Sequence, residues 1–214
     1  MIEDLKFAQM LCSRLCHDLI TPISAINSGF EILQECEADD QKMLMDLTKS
    51  SAETAARRLT FYRAAYGYSG IDTSSKFIFV KKLMEDFLIS LKINLKWSDN
   101  EKCNQNLELL HNLNLWSKIL LNSVLLASEA LPYGGEICIK FDVVNDRFKF
   151  CFGVKGKIIG FRPELLNALQ NKLDVQDYTP QVIHGILLLK LYQKLNVKFQ
   201  MNAIQDQEFS FEII

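Results

Sequence analysis

The stretch Leu15-Cys16-His17-Asp18-Leu19-Ile20-Thr21-Pro22 lies inside a long run, about residues 2–33, in which apolar residues recur at helical spacing. At about 100° per residue, one face of this helix collects a stripe of apolar side chains. The stripe consists of Leu5, Ala8, Cys12, Leu15, Leu19, Ile26 and Leu33. His17 falls about 170° from the centre of the stripe. The sequence therefore predicts an imidazole on the solvent side of a helix whose opposite side is buried.

The neighbours of His17 make it more than an ordinary surface histidine. Asp18 places a carboxylate beside the ring, and Thr21 places a hydroxyl one turn further along the same face. Pro22 removes a backbone hydrogen bond in a helix, which costs about 3 kcal/mol. Pro22 either ends the helix or kinks it and exposes carbonyls near His17. Apolar spacing that continues to Leu33 favours the kink.

Composition and charge exclude several classes of protein. The chain has 214 residues, is 49% hydrophobic and carries a net charge of −2, which does not suggest nucleic-acid binding. The acidic start does not resemble a signal peptide, and no apolar run reaches the roughly 18 residues of a membrane span, so we expect a cytoplasmic protein. Cys12 and Cys16 share a helix face, but His17 points about 100° away, so we expect buried reduced thiols rather than a metal site.

Residues 1–70 are predicted to form a helical hairpin. After a polar break near residues 35–40, a second apolar stripe runs to about Tyr66, and Gly67-Tyr68-Ser69-Gly70 is a stop signal. One hairpin cannot bury its stripe alone, so we expect a homodimer in which two hairpins form a four-helix bundle.

Residues 71–214 are predicted to form a second domain, an α+β sandwich with a mostly antiparallel sheet and helices on one face. Strands are expected at 77–79, 92–97, 136–144, 147–154, 197–203 and 208–213, with a hairpin turn at Asn145-Asp146. Helices are expected at 80–90, 113–131, 163–171 and 180–195.

The His17 region resembles known families. His17-Asp18-Leu19-x-Thr21-Pro22 is similar to the H-box of two-component histidine kinases, the site of histidine phosphorylation, although Ile20 stands where kinases commonly have Arg or Lys. The strings at 11–20 and Ala25-Ile26-Asn27-Ser28-Gly29 more closely resemble the ChpT histidine phosphotransferases. In both families the dimer is the rule.

The second domain resembles the Bergerat fold, the ATP-binding domain of histidine kinases, in degenerate form. Residues 120–122 and 132–137 are similar to its N-box helix, turn and following strand. Leu126 stands where kinases have a magnesium-binding Asn, Val154 where they have the adenine-binding Asp, and Ile158 where they have a glycine. Residues 180–187 lack the glycine-rich loop that cradles phosphates. We therefore expect no ATP and no cofactor bound by this chain, while Mg²⁺ would come from a partner receiver domain.

These features predict a phosphorelay histidine phosphotransferase. Histidine suits reversible phosphoryl transfer because its usual pKa of about 6.5 leaves a nucleophilic neutral ring at pH 7. His17 is the expected phosphate carrier, with Asp18 and Thr21 as catalytic partners. Arg14, Ile20 and Ser24 are the expected partner-binding residues.

The resemblance implies a CckA-like hybrid kinase receiver as phosphate donor and CtrA-like and CpdR-like response regulators as acceptors. An autophosphorylating kinase and a non-catalytic dimeric module are the alternatives. His111 and His184 have no partner at a motif spacing and are expected to be structural or solvated.

Overall fold

The computed structural model describes residues 2–35, 37–67, 77–97, 113–144, 147–201 and 208–213. Its first two helices, α1 (Ile2–Glu35) and α2 (Ala38–Tyr66), form the predicted hairpin. They run antiparallel, since Asp18 contacts Tyr62 while Gly29 faces Thr48 nearer the turn. A Cβ at Gly29 would collide with the Thr48 hydroxyl, so glycine lets the helices approach closely here.

The apolar stripe of α1 is only partly covered within one chain. Leu15, Leu19, Ile26 and Leu33 are half-buried, whereas Leu5, Ala8 and Cys12 are exposed. This partial exposure fits the expectation that one hairpin cannot bury its stripe alone. Cys16 is exposed as well, so the expectation of buried thiols at Cys12 and Cys16 is wrong for a single chain, because neither helix of the same hairpin covers this side of α1.

The remaining described elements form a layer of helices and one sheet. They are α3 (Phe77–Ile89), β1 (Ile93–Trp97), α4 (Leu113–Glu129), β2 (Gly135–Val144), β3 (Arg147–Lys155), α5 (Pro163–Leu169), a 3₁₀ turn (Val175–Asp177), α6 (Ile183–Leu195), β4 (Phe199–Met201) and β5 (Glu208–Ile213). The strands lie in the order β1-β2-β3-β5-β4, with β1 parallel to β2 and the other pairs antiparallel. The prediction of a mostly antiparallel sheet with helices is confirmed.

One predicted strand is wrong. Phe77-Ile78-Phe79 begins α3 instead of forming a separate strand. The residues that α3 buries recur at helical spacing: Phe77, Val80, Leu83, Met84, Phe87 and Leu88. This amphipathic pattern outweighs the β-propensity of three residues. The predicted turn Asn145-Asp146 and His111 lie outside the described residues.

The hydrophobic core is continuous from the hairpin into the second region. The Phe61 ring of α2 stacks on Phe87 of α3 with centroids 4.0 Å apart, and Ala65 is buried in the same cluster. In β2, Ile137, Ile139 and Phe141 are buried, as their alternation predicts. No helix among the described residues is long and apolar enough to cross a membrane. The packing holds α1 against the second region, which positions the site described next.

Candidate functional site

His17 lies on the exposed side of α1, as the helix phase predicts. Its side chain is 82% exposed, and Nδ1 lies 3.3 Å from Oδ1 of Asp18. If Nδ1 carries the proton, it donates to the carboxylate and Nε2 keeps a free lone pair. The other ring nitrogen then faces solvent as an accessible nucleophile.

Asp18 is the centre of a hydrogen-bond network, although its side chain is only 15% exposed. Its Oδ2 accepts hydrogen bonds from Arg14 Nε at 2.9 Å and from the Tyr62 hydroxyl at 2.7 Å. Burial favours the neutral acid, but the Arg14 charge and the hydrogen bonds from Tyr62, Arg14 and His17 outweigh it and hold the pKa of Asp18 below its usual value. The carboxylate beside His17 is therefore ionised and fixed in orientation.

Pro22 contributes to this network through the backbone. The helix continues through Pro22, so the prediction that it does not end the helix is confirmed. A residue at this position would donate its N–H to the carbonyl of Asp18, four residues earlier, and proline has no N–H. Arg58 of α2 fills the gap, because its Nη1 donates to the Asp18 carbonyl at 2.7 Å. The two helices are thus joined at the residue next to His17.

Arg14 connects the site to the second region. Its Nη2 donates to Oε1 of Glu129, at the end of α4, at 2.6 Å. Burial alone would lower the pKa of Arg14, but Glu129 and Asp18 raise it well above its usual value. The guanidinium is 16% exposed and holds two carboxylates at once.

His184 of α6 lies at the far end of the same network. It is fully buried, and its Nε2 lies 3.4 Å from Oε2 of Glu129. Burial lowers the pKa of His184 to about 3, so the contact joins a carboxylate to a neutral ring. The prediction that His184 is a structural residue with no partner at a motif spacing is confirmed, since the ring is fully buried. Its contact with Glu129 spans 55 positions in the chain, which no motif spacing could reveal.

The other predicted site residues share the exposed side of α1 with His17. Ile20 is 58% exposed, and Thr21 and Ser24 are exposed as well. By helical geometry all three project within about 60° of His17. Arg14 differs from them because Asp18 and Glu129 already engage its guanidinium.

A cavity of about 580 Å³ opens between the hairpin and the second region. Arg14, Asp18 and Glu129 line it, together with three other cationic side chains: Arg58, Lys92 and Arg162. The cavity therefore adjoins the network behind His17, and the His17 ring is not part of its lining.

The positions that carry nucleotide-binding residues in kinases are occupied differently here. Leu126 and Val154 are fully buried apolar side chains. Asn122 is also buried, and its amide donates to the carbonyls of Lys118 and Ala65 inside the protein. Within the described part of the chain, no group of three or more His, Cys, Asp or Glu side chains could hold a metal ion.

Sequence reasoning missed three residues of the network, Arg58, Tyr62 and Glu129, and it missed the contact between His184 and Glu129. Tyr62 is 44 positions from Asp18 and Glu129 is 115 positions from Arg14, so no local spacing connects them. One signal was available for Glu129, which is the sole acidic residue of the mostly apolar segment 113–131.

An exposed imidazole on a helical hairpin, backed by a fixed carboxylate, is the arrangement expected of a phosphohistidine carrier. Comparison with known proteins identifies the family of the chain. The family described as "Histidine phosphotransferase C-terminal domain" matches residues 80–207, more than half of the chain. The chain therefore belongs to the histidine phosphotransferase family.

Two relatives match nearly the whole chain. The protein phosphotransferase ChpT of Brucella abortus (strain 2308) is 29% identical over 99% of this chain and 97% of its own length. A solved structure of a bacterial phosphotransferase superposes with a TM-score of 0.81 at 26% identity, covering 98% of this chain and 96% of that one. Both matches include the His17 hairpin, which the matched family region does not.

Proposed function

We propose that this chain is a phosphorelay histidine phosphotransferase in which His17 carries the phosphoryl group between receiver-domain aspartates. The observation that carries the proposal is the geometry at His17: an exposed ring whose Nδ1 faces a carboxylate held by Arg14 and Tyr62. Family membership and the likeness to ChpT support the same reaction.

The transfer step follows from this geometry. The lone pair of His17 Nε2 attacks the phosphorus of a receiver aspartyl phosphate, and a P–N bond forms as the P–O bond to the aspartate breaks. The aspartate leaves as a carboxylate, and the ring retains the Nδ1 proton against Asp18. Asp18 stabilises the positive charge that develops on the ring, and Thr21 lies on the same face to contact the phosphoryl group. The reverse step passes the group to a second receiver.

The reaction requires neither ATP nor a metal from this chain. Leu126 and Val154 supply no magnesium or adenine ligands and are fully buried, which supports an ATP-independent carrier in a degenerate Bergerat-like domain. Catalysis of phosphoryl transfer is mainly positioning and charge neutralisation, and Mg²⁺ would come from the partner receiver.

The protein would act in the cytoplasm on receiver domains of a CckA-like hybrid kinase and of CtrA-like and CpdR-like regulators. Ile20 and Ser24 would contact the receiver beside His17. Arg14 would stabilise this surface from beneath, since its guanidinium is already bound by Asp18 and Glu129.

The proposal includes a homodimer through the hairpin, in which two copies form a four-helix bundle. Large apolar side chains exposed on α1 and α2 support it: Leu5, Ile23, Phe30, Ile32, Met43, Met45, Leu47 and Leu59. Such a set exceeds scattered surface exposure and is typical of an interaction face.

We expect a dimer by sedimentation at micromolar concentration. Asp at Leu19 or Ile26 would dissociate or unfold it, because burying an unpaired charge costs several kcal/mol. A monomeric wild-type chain would contradict this part of the proposal.

The direct functional test incubates the full chain with each phosphorylated receiver domain of the source cell. We expect a labelled adduct that is lost in acid and stable in base, because a phosphoramidate nitrogen protonates and leaves in acid. A chain that takes no label from any receiver would instead be a non-catalytic module. Label from Mg-ATP alone would identify a kinase.

A further inference from the structure

Glu129 is the one carboxylate of the second region that contacts the network behind His17 in the described structure. It lies at the C-terminal end of α4 with a side chain that is 19% exposed. Oε1 accepts from Arg14 Nη2 at 2.6 Å, and Oε2 lies 3.4 Å from His184 Nε2. Glu129 is thus hydrogen-bonded to Arg14 of the hairpin and lies in contact with His184 of α6.

Arg14 divides its hydrogen-bond donors between two carboxylates. Arg14 gives Nε to Asp18 Oδ2 and Nη2 to Glu129 Oε1, so it makes a single bond to each carboxylate. An arginine facing one carboxylate prefers to bind both of its oxygens with two parallel hydrogen bonds. Without Glu129, the guanidinium is free to turn and take Oδ1 of Asp18 as well. Oδ1 is the oxygen that faces His17 Nδ1.

We propose that Glu129 is a positioning residue for phosphoryl transfer, which acts through Arg14 to keep Asp18 Oδ1 available to His17. The inference rests on the proposed function of His17. Through Glu129, the second region would take part in the reaction, because it would fix the orientation of the Asp18 carboxylate beside His17.

The surroundings of Glu129 fit this role. Burial raises the pKa of Glu129, and Arg14 opposes that rise, so the bond to Arg14 is what favours the charged form. His184 is fully buried and neutral, and its Nε2 contacts Oε2 at 3.4 Å without a hydrogen bond, so Arg14 is the partner that holds the Glu129 carboxylate by hydrogen bonding.

The test compares the transfer rate at saturating phosphorylated receiver with the receiver concentration that gives half of that rate. We expect Glu129→Gln to lower the saturated rate about 10- to 100-fold, since misplacing a group by about 1 Å can cost 100-fold. The half-saturating concentration should not change, because Glu129 lies behind the exposed face. Glu136→Gln is the matched control, because Glu136 pairs with Lys96 at 2.7 Å in the same region away from the network.

A double-mutant cycle separates positioning from general destabilisation. If Glu129 acts through Arg14, then Glu129→Gln has no further effect on the rate in an Arg14→Gln background. Should Glu129→Gln fail to fold, Glu129→Asp keeps the charge and withdraws the carboxylate by one methylene, and we expect an intermediate loss.

Wild-type rates in a folded Glu129→Gln or Glu129→Asp protein, or additive effects of the Arg14 and Glu129 changes, would overturn the inference. In that case His17-dependent labelling of the wild-type chain would leave the proposed function intact. A wild-type chain that takes no label would overturn both.

Discussion

The molecule places two histidines beside carboxylates at opposite ends of one network, and their surroundings differ completely. His17 lies 3.3 Å from Asp18 and is 82% exposed, whereas His184 lies 3.4 Å from Glu129 and is fully buried. Arg14 joins the two carboxylates. The same pair of side chains therefore does not define a nucleophile. What distinguishes the two histidines is solvent access to a free ring nitrogen, and of the two only His17 has it.

The largest effect should come from exchanging each histidine for alanine. We expect His17→Ala to abolish the acid-labile adduct completely, because no other exposed imidazole lies beside Asp18 in the part of the chain that the structure describes. The fold should survive, since exposed substitutions usually change stability by less than about 0.5 kcal/mol. His184→Ala should lower the melting temperature because it empties a buried site, yet the adduct should still form below that temperature. Labelling of the His17→Ala protein at the wild-type rate would show that His17 is not the phosphate carrier.

The next largest effect should come from the carboxylate beside His17. Asp18→Asn should slow transfer by about 10² to 10³ without abolishing it, which is the usual cost of removing one group that stabilises charge developing in the reaction. The comparison variant is Asp86→Asn, since Asp86 forms a partly exposed pair with Lys82 at 3.8 Å away from the network. Equal rates for the two variants would remove Asp18 from the mechanism.

The dependence of stability on pH offers a related check on Asp18. Because its pKa is lowered in the folded protein, the stability it contributes is present above the pKa of a free aspartate and is lost as the pH falls below that value. Asp18→Asn should therefore flatten the dependence of the melting temperature on pH below about 4. A pH profile unchanged from the wild type would show that the Arg14 and Tyr62 bonds do not stabilise the charged form.

A smaller effect is expected at the exposed face. Ile20 is 58% exposed near His17, and an apolar side chain here suits contact with a receiver. Ile20→Glu should raise the half-saturating receiver concentration about tenfold, the equivalent of about 1.4 kcal/mol of lost contact. Ile78→Glu is the control, because Ile78 is 72% exposed on α3 in the second region. Equal transfer by both variants at low receiver concentration would place docking elsewhere.

Adding nucleotide to the protein should have the smallest effect. Mg-ATP should neither label the protein nor raise its melting temperature, because buried Leu126 and Val154 stand where kinases have Asn and Asp. A ligand at 100 times its dissociation constant stabilises by about 2.7 kcal/mol, so binding would be visible as a thermal shift. Micromolar affinity in a titration would restore the kinase alternative.

The sequence predicted most elements because their apolar periods are long. The 34 residues of α1, through Pro22, and the alternation of β2 both follow from the pattern. It failed where the window was short: Phe77-Ile78-Phe79 has high β-propensity, and only the spacing through Leu88 identifies a helix. Periodicity reports which face of the hairpin is apolar and does not report what covers it, so the sequence could not place the boundary between the covered and the exposed part of the stripe.

The site was predicted only as far as one helix reaches. His17, Asp18 and their neighbours share a helix, so helical phase alone places them. Tyr62, Arg58 and Glu129 reach Asp18 and Arg14 through tertiary packing, and no spacing rule connects residues 40 to 115 positions apart. The same packing explains why Arg14, predicted to contact a partner, is engaged within its own chain.

The most direct measurement of the central claim is the location of the phosphoryl group on the wild-type chain. The protein is incubated with a phosphorylated receiver, digested under alkaline conditions that preserve phosphohistidine, and sequenced by mass spectrometry. We expect one phosphorylated residue, His17, and unmodified His111 and His184. Phosphate on any other residue would contradict the account. An unmodified chain, incubated with a receiver that keeps its phosphate, would contradict it as well.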